Sequence, residues 1–149
     1  MFLKITSFLF LFLSLILTSC QTIELDSAKE NKLEQKLEQK LEQQAIAISK
    51  IEVKEIAVDH AGFKIYKDNT CQNCHGDKLQ GSLTGPPLIY NLYKSSHHND
   101  LKLFTSIKEG VDQHHWFFGN MPDHGFINDK DIQLIVQFIR QSLILNNIK

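Results

Sequence analysis

Apolar residues recur at helical intervals near the C-terminus, and this pattern predicts the best-defined element of the chain. A helix is expected from Asn128 to about Leu145, with Asn128 as its N-cap. Its apolar face is formed by Ile132, Ile135, Val136, Ile139 and Leu143.

The same spacing occurs in the middle of the chain. Ile56, Ala57, Ala61, Ile65 and Tyr66 predict a helix from about Lys54 to Asp68. A shorter helix is predicted from Asp100 to Glu109, with Asp100 as N-cap and Gly110 at its end. No segment alternates like a strand, so the predicted fold class is all-α.

The first 20 residues follow a different pattern. Lys4 precedes an apolar run, Ile5–Leu17, which is too short for a membrane span of about 20 residues but is typical of a secretory signal. Leu17-Thr18-Ser19-Cys20 then resembles the bacterial lipoprotein box, in which the cysteine becomes lipidated. A plain signal peptide and an uncleaved anchor are the alternatives. All three place the remaining chain outside the cytoplasmic membrane, in the bacterial cell envelope.

Residues 21–53 are expected to form a charged tether of low complexity. Lys-Leu-Glu-Gln occurs three times between Lys32 and Gln43, which places like charges four residues apart. Such pairs destabilise a helix by a few tenths of a kcal/mol each, so we expect a solvated spacer that is only partly helical. A coiled coil is the alternative, although its apolar residues would recur every 3.5 positions on average.

Residues 54–149 remain for one domain. The net charge of the chain is -1, which implies no attraction to nucleic acid. The chain has three cysteines, an odd count that argues against a disulfide framework.

Two of these cysteines belong to the segment Cys71-Gln72-Asn73-Cys74-His75. Two cysteines separated by two residues, with a histidine directly after the second, form the attachment signature of c-type haem. The thiols bind the haem covalently, and the imidazole of His75 is placed to ligate the iron. Half of a zinc site would need a second cysteine pair, and a thioredoxin-like dithiol would lie near a strand–helix–strand pattern. One covalent haem c is therefore the predicted cofactor.

Residues 59–143 resemble a class I, mitochondrial-type cytochrome c domain. The resemblance rests on landmarks in the expected order: Gly62 and Tyr66, Cys71–Gly76, Gly85–Leu88, Met121-Pro122 and Phe138. It implies a cytochrome c fold of three to five helices around the haem, with Gly62 and Phe138 at the crossing of the first and last helices. It also implies that the carbonyl of Pro86 accepts a hydrogen bond from His75, and that Met121 is the distal iron ligand.

Met121 is the only methionine apart from Met1, so a thioether ligand must come from it. A gap-filling core methionine is the structural alternative. His114, His115 or His124 could instead occupy the distal position. The side chains expected to form an apolar wall around the haem are Phe104, Ile107, Trp116 and Phe117.

Two histidine pairs fall outside the usual pattern of small cytochromes. They are His97-His98 and His114-His115. Solvated loop histidines, some bound to haem propionates, are one interpretation. A second metal site for copper or zinc, built from these four imidazoles, is the other.

The function predicted from these features is electron transfer rather than enzymatic catalysis. The protein would be a lipid-tethered monohaem cytochrome that passes single electrons between redox proteins of the envelope, on its own or as a haem subunit of a larger oxidoreductase. The alternative is a haem enzyme or a sensor of peroxide or a small gas, with an open or labile distal position. The sequence names neither the electron donor nor the acceptor.

Overall fold

The computed structural model describes residues 29–149. The signal segment and Cys20 lie outside these residues, so their predicted roles stay predictions. The described residues fall into two units, with the boundary between Leu41 and Glu42. The predicted boundaries at residues 20 and 53 also stay predictions.

Residues 29–49 form a continuous helix, α1. We expected repulsion between like charges to leave this segment only partly helical, and the structure instead shows a complete helix. Leu, Lys, Glu and Gln all have high helix propensity, and their sum over three repeats outweighs repulsions of a few tenths of a kcal/mol. Leu33 and Leu37 are exposed in α1, at 69% and 51%.

Helix α2 covers Ala61–Asp68 and begins seven residues later than predicted. Residues 51–57 are irregular, and three of their backbone groups bond to side chains at the end of the last helix. The Ala57 N–H donates to Ser142 Oγ at 3.1 Å, and the Asn146 amide donates to the Glu55 carbonyl at 2.6 Å. Ile56 and Ala57 are buried by this packing, so their apolar character reflects burial rather than helix.

The last helix, α5, covers Asp129–Leu145 and is capped by Asn128, as predicted. It crosses α2 at Gly62, where an added Cβ would lie 2.0 Å from the Leu134 carbonyl oxygen. Phe138 is fully buried at this crossing, and its ring centroid lies 5.5 Å from those of Phe63 and Tyr66. The crossing implied by the family resemblance is confirmed.

Three short elements complete the domain: α3 (Gln72–His75), a 3₁₀ turn (Asn91–Tyr93) and α4 (Asp100–Glu109). The N-cap of α4 is Asn99, whose side chain accepts from the Lys102 N–H, so the prediction of Asp100 was wrong by one residue. Asp100 is instead the first residue of the helix, where its negative charge interacts favourably with the positive end of the helix dipole. Gly110 ends α4 with φ of 80°, as predicted.

Throughout residues 29–149, the only β pairing is an isolated bridge between Val111 and Met121. The all-α fold class is thus confirmed. No helix within this range is long and apolar enough to cross a membrane.

Candidate functional site

One mainly apolar cavity of about 380 Å³ lies within the second unit. Leu103 and Ile107 of α4 line it, as do Ile135 and Ile139 of α5. Each pair is spaced i, i+4 and so shares one face of its helix. The volume falls within the range of about 300–1,000 Å³ that is typical of small-molecule and cofactor pockets.

Cys71 and Cys74, the two cysteines of the haem-attachment signature, both line this cavity. Cys71 is the N-cap of α3, and its carbonyl accepts from the Cys74 and His75 N–H groups at 3.3 and 3.0 Å. A single helical turn therefore sets the separation of the two sulfur atoms. The two cysteines form no disulfide, and burial raises the pKa of the Cys71 thiol to about 11, so this thiol is protonated at neutral pH before haem is attached.

His75 follows Cys74 and is buried beside the same cavity. Its Nδ1–H donates to the Pro86 carbonyl oxygen over 2.8 Å. Because the carbonyl can only accept, the proton is on Nδ1 and the lone pair is on Nε2. Desolvation lowers the pKa of His75, so the imidazole is neutral, which is the state that ligates a metal.

The segment after His75 folds back over the attachment turn. The His75 carbonyl accepts from the Gly81 N–H at 2.8 Å, and the Cys74 carbonyl accepts from Ser82 Oγ at 2.7 Å. Gly85 approaches so closely that an added Cβ would lie 2.7 Å from that of Cys74. The hydroxyl of buried Tyr66 donates to the Gly76 carbonyl at 2.7 Å, which fixes the segment to α2.

Met121 also lines the cavity, at the end of a loop that begins at Val111. The two residues exchange backbone hydrogen bonds of 3.0 and 2.9 Å, so the base of the loop is closed. His124 lines the cavity as well, and its Nδ1 lies 3.0 Å from the Pro122 carbonyl. Met121 is thus one of several potential iron ligands at the cavity, which also include His114 and His115.

The structure brings three of the four paired histidines together. The ligating nitrogens of His97, His98 and His115 all lie within 4.8 Å of one another. His114 is outside this set, although its ring centroid is 4.3 Å from that of His115. His98 is buried, whereas the other three rings are exposed.

The predicted apolar wall is correct for two of its four residues. Ile107 and Trp116 line the cavity, whereas Phe104 packs against the hydrophobic core and Phe117 is 46% exposed. Sequence reasoning missed several cavity residues: Tyr93, Leu103, Val111 and Phe118. Leu103 could have been found, because it lies one helical turn before Ile107.

These side chains have the chemistry that a covalently attached haem needs. Two thiols lie on one turn, a neutral imidazole offers Nε2, and a thioether lies at the same apolar cavity. Sulfur and imidazole donors of this kind are those found in cytochromes c. The residues present therefore fit the group.

Comparisons with known proteins agree with this chemistry. Residues 60–142, more than half of the chain, match the family model described as "Cytochrome c". The chain is 32% identical over 89 residues to the menaquinol:cytochrome c reductase cytochrome c subunit of Bacillus subtilis (strain 168). The match covers 59% of this chain but only 30% of that subunit.

No solved structure matches the chain. The family match, the attachment turn and the cavity nevertheless agree with one another. The chain belongs to the cytochrome c family, and carries covalently bound haem c for electron transfer.

Proposed function

We propose that this protein is a lipid-anchored, monohaem electron carrier of the bacterial cell envelope, with His75 and Met121 as the two axial ligands of the haem iron. One observation supports this most strongly. Met121 is far in sequence from Cys71, Cys74 and His75, yet it lines the same apolar cavity as those three residues.

The chain contributes orientation and a dry environment. Pro86 holds His75 in one tautomer and makes its Nε2 a better donor. A thioether from Met121 favours the reduced state of iron and so raises its potential. Bound haem supplies reversible one-electron chemistry. With both axial positions filled by side chains, no position is left for a small molecule.

A haem enzyme or sensor is the second candidate. It is favoured by the position of His114, His115 and His124 at the same cavity as Met121. If Met121 were absent from the iron or easily displaced, these imidazoles could act as acids and bases towards a bound peroxide.

The absorption spectrum of the oxidised, haem-loaded protein tests the ligand assignment. We expect low-spin iron and the weak near-infrared band of a thioether bound to ferric haem. High-spin iron without this band would contradict the proposal and favour the enzyme or sensor. Low-spin iron without the band would mean that a histidine is the sixth ligand. In Met121→Ala the band should vanish and the potential should fall, since axial ligands tune haem potentials over about 0.8 V.

The anchor is proposed from the sequence around Cys20. The acyl group on this cysteine would hold the protein at a membrane, and the tether would let the haem domain reach redox partners. A quinol-oxidising reductase of the kind named for the Bacillus relative is one such partner class. Mass spectrometry of the mature protein should find acyl chains on Cys20, and these chains should be absent from Cys20→Ala. A mature wild-type protein without acyl chains would contradict lipid anchoring.

A further inference from the structure

We propose that His97, His98 and His115 bind a second metal ion, Zn²⁺ or Cu²⁺, through their imidazole nitrogens. His98 and His115 also line the haem cavity, but the proposed haem attachment and iron ligation by Cys71, Cys74, His75 and Met121 use neither of them. The site would join the turn before α4 to the loop that ends at Met121.

The first argument is distance. His97 Nε2 and His115 Nε2 are 3.3 Å apart. Two nitrogens bound to a tetrahedral zinc ion at about 2.0–2.1 Å lie about 3.3–3.4 Å from each other. The pair therefore already has the separation that one shared metal ion requires, and the nitrogens of all three residues lie within 4.8 Å.

The second argument is the orientation of His98. Its Nδ1–H donates to the Leu92 carbonyl oxygen over 2.7 Å, which leaves the lone pair on Nε2. Metal-ligating histidines almost always donate their other ring nitrogen in this way, because the bond fixes the tautomer and the ring. His98 is only 8% exposed, so the ring is held in place by its surroundings.

The third argument is the support behind His98. The guanidinium of Arg140, on α5, donates to the carbonyl oxygens of Tyr93 and His98. Arg140 Nε also donates to Asp100 Oδ1 at 2.6 Å. The turn that carries His97 and His98 is thus bonded to α5, the longest helix of the haem domain, through Tyr93 before it, through His98 itself and through Asp100 after it. Such a rigid support is what a metal site needs.

The loop that carries His115 is anchored as well. Buried Gln44 accepts the Phe117 N–H at 2.7 Å, and the loop closes at the Val111–Met121 bridge. Three imidazoles suit Zn²⁺ and Cu²⁺, and they leave a fourth position for water. A metal ion here would restrain the loop that positions Met121. This last consequence depends on Met121 being the distal iron ligand, whereas the metal site itself does not.

The test is metal binding by the oxidised, haem-loaded protein. Zn²⁺ is titrated in competition with a chromophoric chelator, and Cu²⁺ is followed by electron paramagnetic resonance for coupling to nitrogen. We expect one ion per protein. His97→Gln and His115→Gln, both at exposed positions, should each weaken binding by at least about tenfold, since loss of even an outer partner typically costs that much.

His114→Gln is the matched control, because it removes a neighbouring imidazole that lies outside the set. It should leave the affinity unchanged. Absence of stoichiometric binding by either ion would overturn the proposal, and so would equal losses in His114→Gln and His115→Gln. A changed haem spectrum in metal-free His115→Gln would also overturn it, because that ring would then be an iron ligand.

The near-infrared band separates this proposal from the assignment of Met121. If the band is absent but zinc binds with the expected variant pattern, the metal site stands and the distal ligand is wrong. If the band is present but no metal binds, the electron carrier stands and the metal site is wrong.

Discussion

Haem binding depends on two segments that line the same cavity but are held in place in different ways. Residues 71–89, the attachment segment, are bonded mainly to themselves, as in the contacts from His75 to Pro86 and to Gly81. Residues 111–121, the distal loop, are joined at their base by the Val111–Met121 bridge. Most side chains between these two residues are exposed. The attachment geometry is therefore built locally, whereas the position of Met121 depends on a loop with few buried contacts.

Among the variants that test this difference, replacement of Cys71 or Cys74 should have the largest effect, because it removes covalent bonds to the haem. In Cys71→Ala or Cys74→Ala one of the two covalent bonds is lost, and in the double variant we expect covalent haem to be undetectable. Mass spectrometry under denaturing conditions measures the loading directly. Cys20→Ala is the matched control and should load haem normally. Full covalent loading of the double variant would show that the attachment segment has been misassigned.

A pair of glycine substitutions should show a difference in packing between the two segments. An added Cβ at Gly85 would lie 2.7 Å from Cys74 Cβ and 2.8 Å from its carbonyl oxygen, whereas at Gly119 nothing lies within 4 Å. Overpacking costs about 1–3 kcal/mol, and contact with backbone atoms places Gly85→Ala at the upper end. Gly119→Ala should cost about 1 kcal/mol, the strain of its φ of 87° alone.

Denaturant unfolding of the haem-loaded variants measures these costs as changes in the free energy of unfolding. Equal losses in the two variants would mean that the distal loop is packed as tightly as the attachment segment. The conclusion that the distal loop is held by fewer buried contacts than the attachment segment would then be wrong.

The smallest effect on global stability is expected for Asn120→Ala. The Asn120 side chain accepts from the Gln113 N–H at 3.0 Å and donates to Asp112 Oδ1 at 2.7 Å, both at the surface of the distal loop. The free energy of unfolding should fall by less than about 1 kcal/mol. The near-infrared band, however, should disappear at a lower temperature than in the wild type, because the loop opens locally before the domain unfolds. Coincident loss of the band and of helical circular dichroism would contradict local opening.

The attachment turn could be predicted from sequence because its chemistry requires five consecutive residues. The close approach at Gly62 followed from the resemblance, and the structure shows its cause in the Leu134 carbonyl. The start of α2 could not be predicted, since Ile56 and Ala57 have helical spacing but are buried by contacts with α5. Periodicity records which residues are buried, and it does not record what buries them.

The histidines show the same limit. Their pairing in the sequence suggested a four-residue metal site, and the fold brings only His97, His98 and His115 within ligating distance of one another. The roles of Leu92 and Arg140 in holding His98 have no local signal, because one acts through its backbone and the other lies 42 residues further along the chain.

By itself, the sequence determined the helical class, the cap of α5, the attachment turn and the single methionine available as a thioether ligand. These features depend on residues close together in the chain or on the identity of one side chain. Only the tertiary structure decided which apolar residues line the cavity and which histidines share a site. Those properties depend on how α4, α5 and the distal loop pack, and packing joins residues that no sequence interval relates.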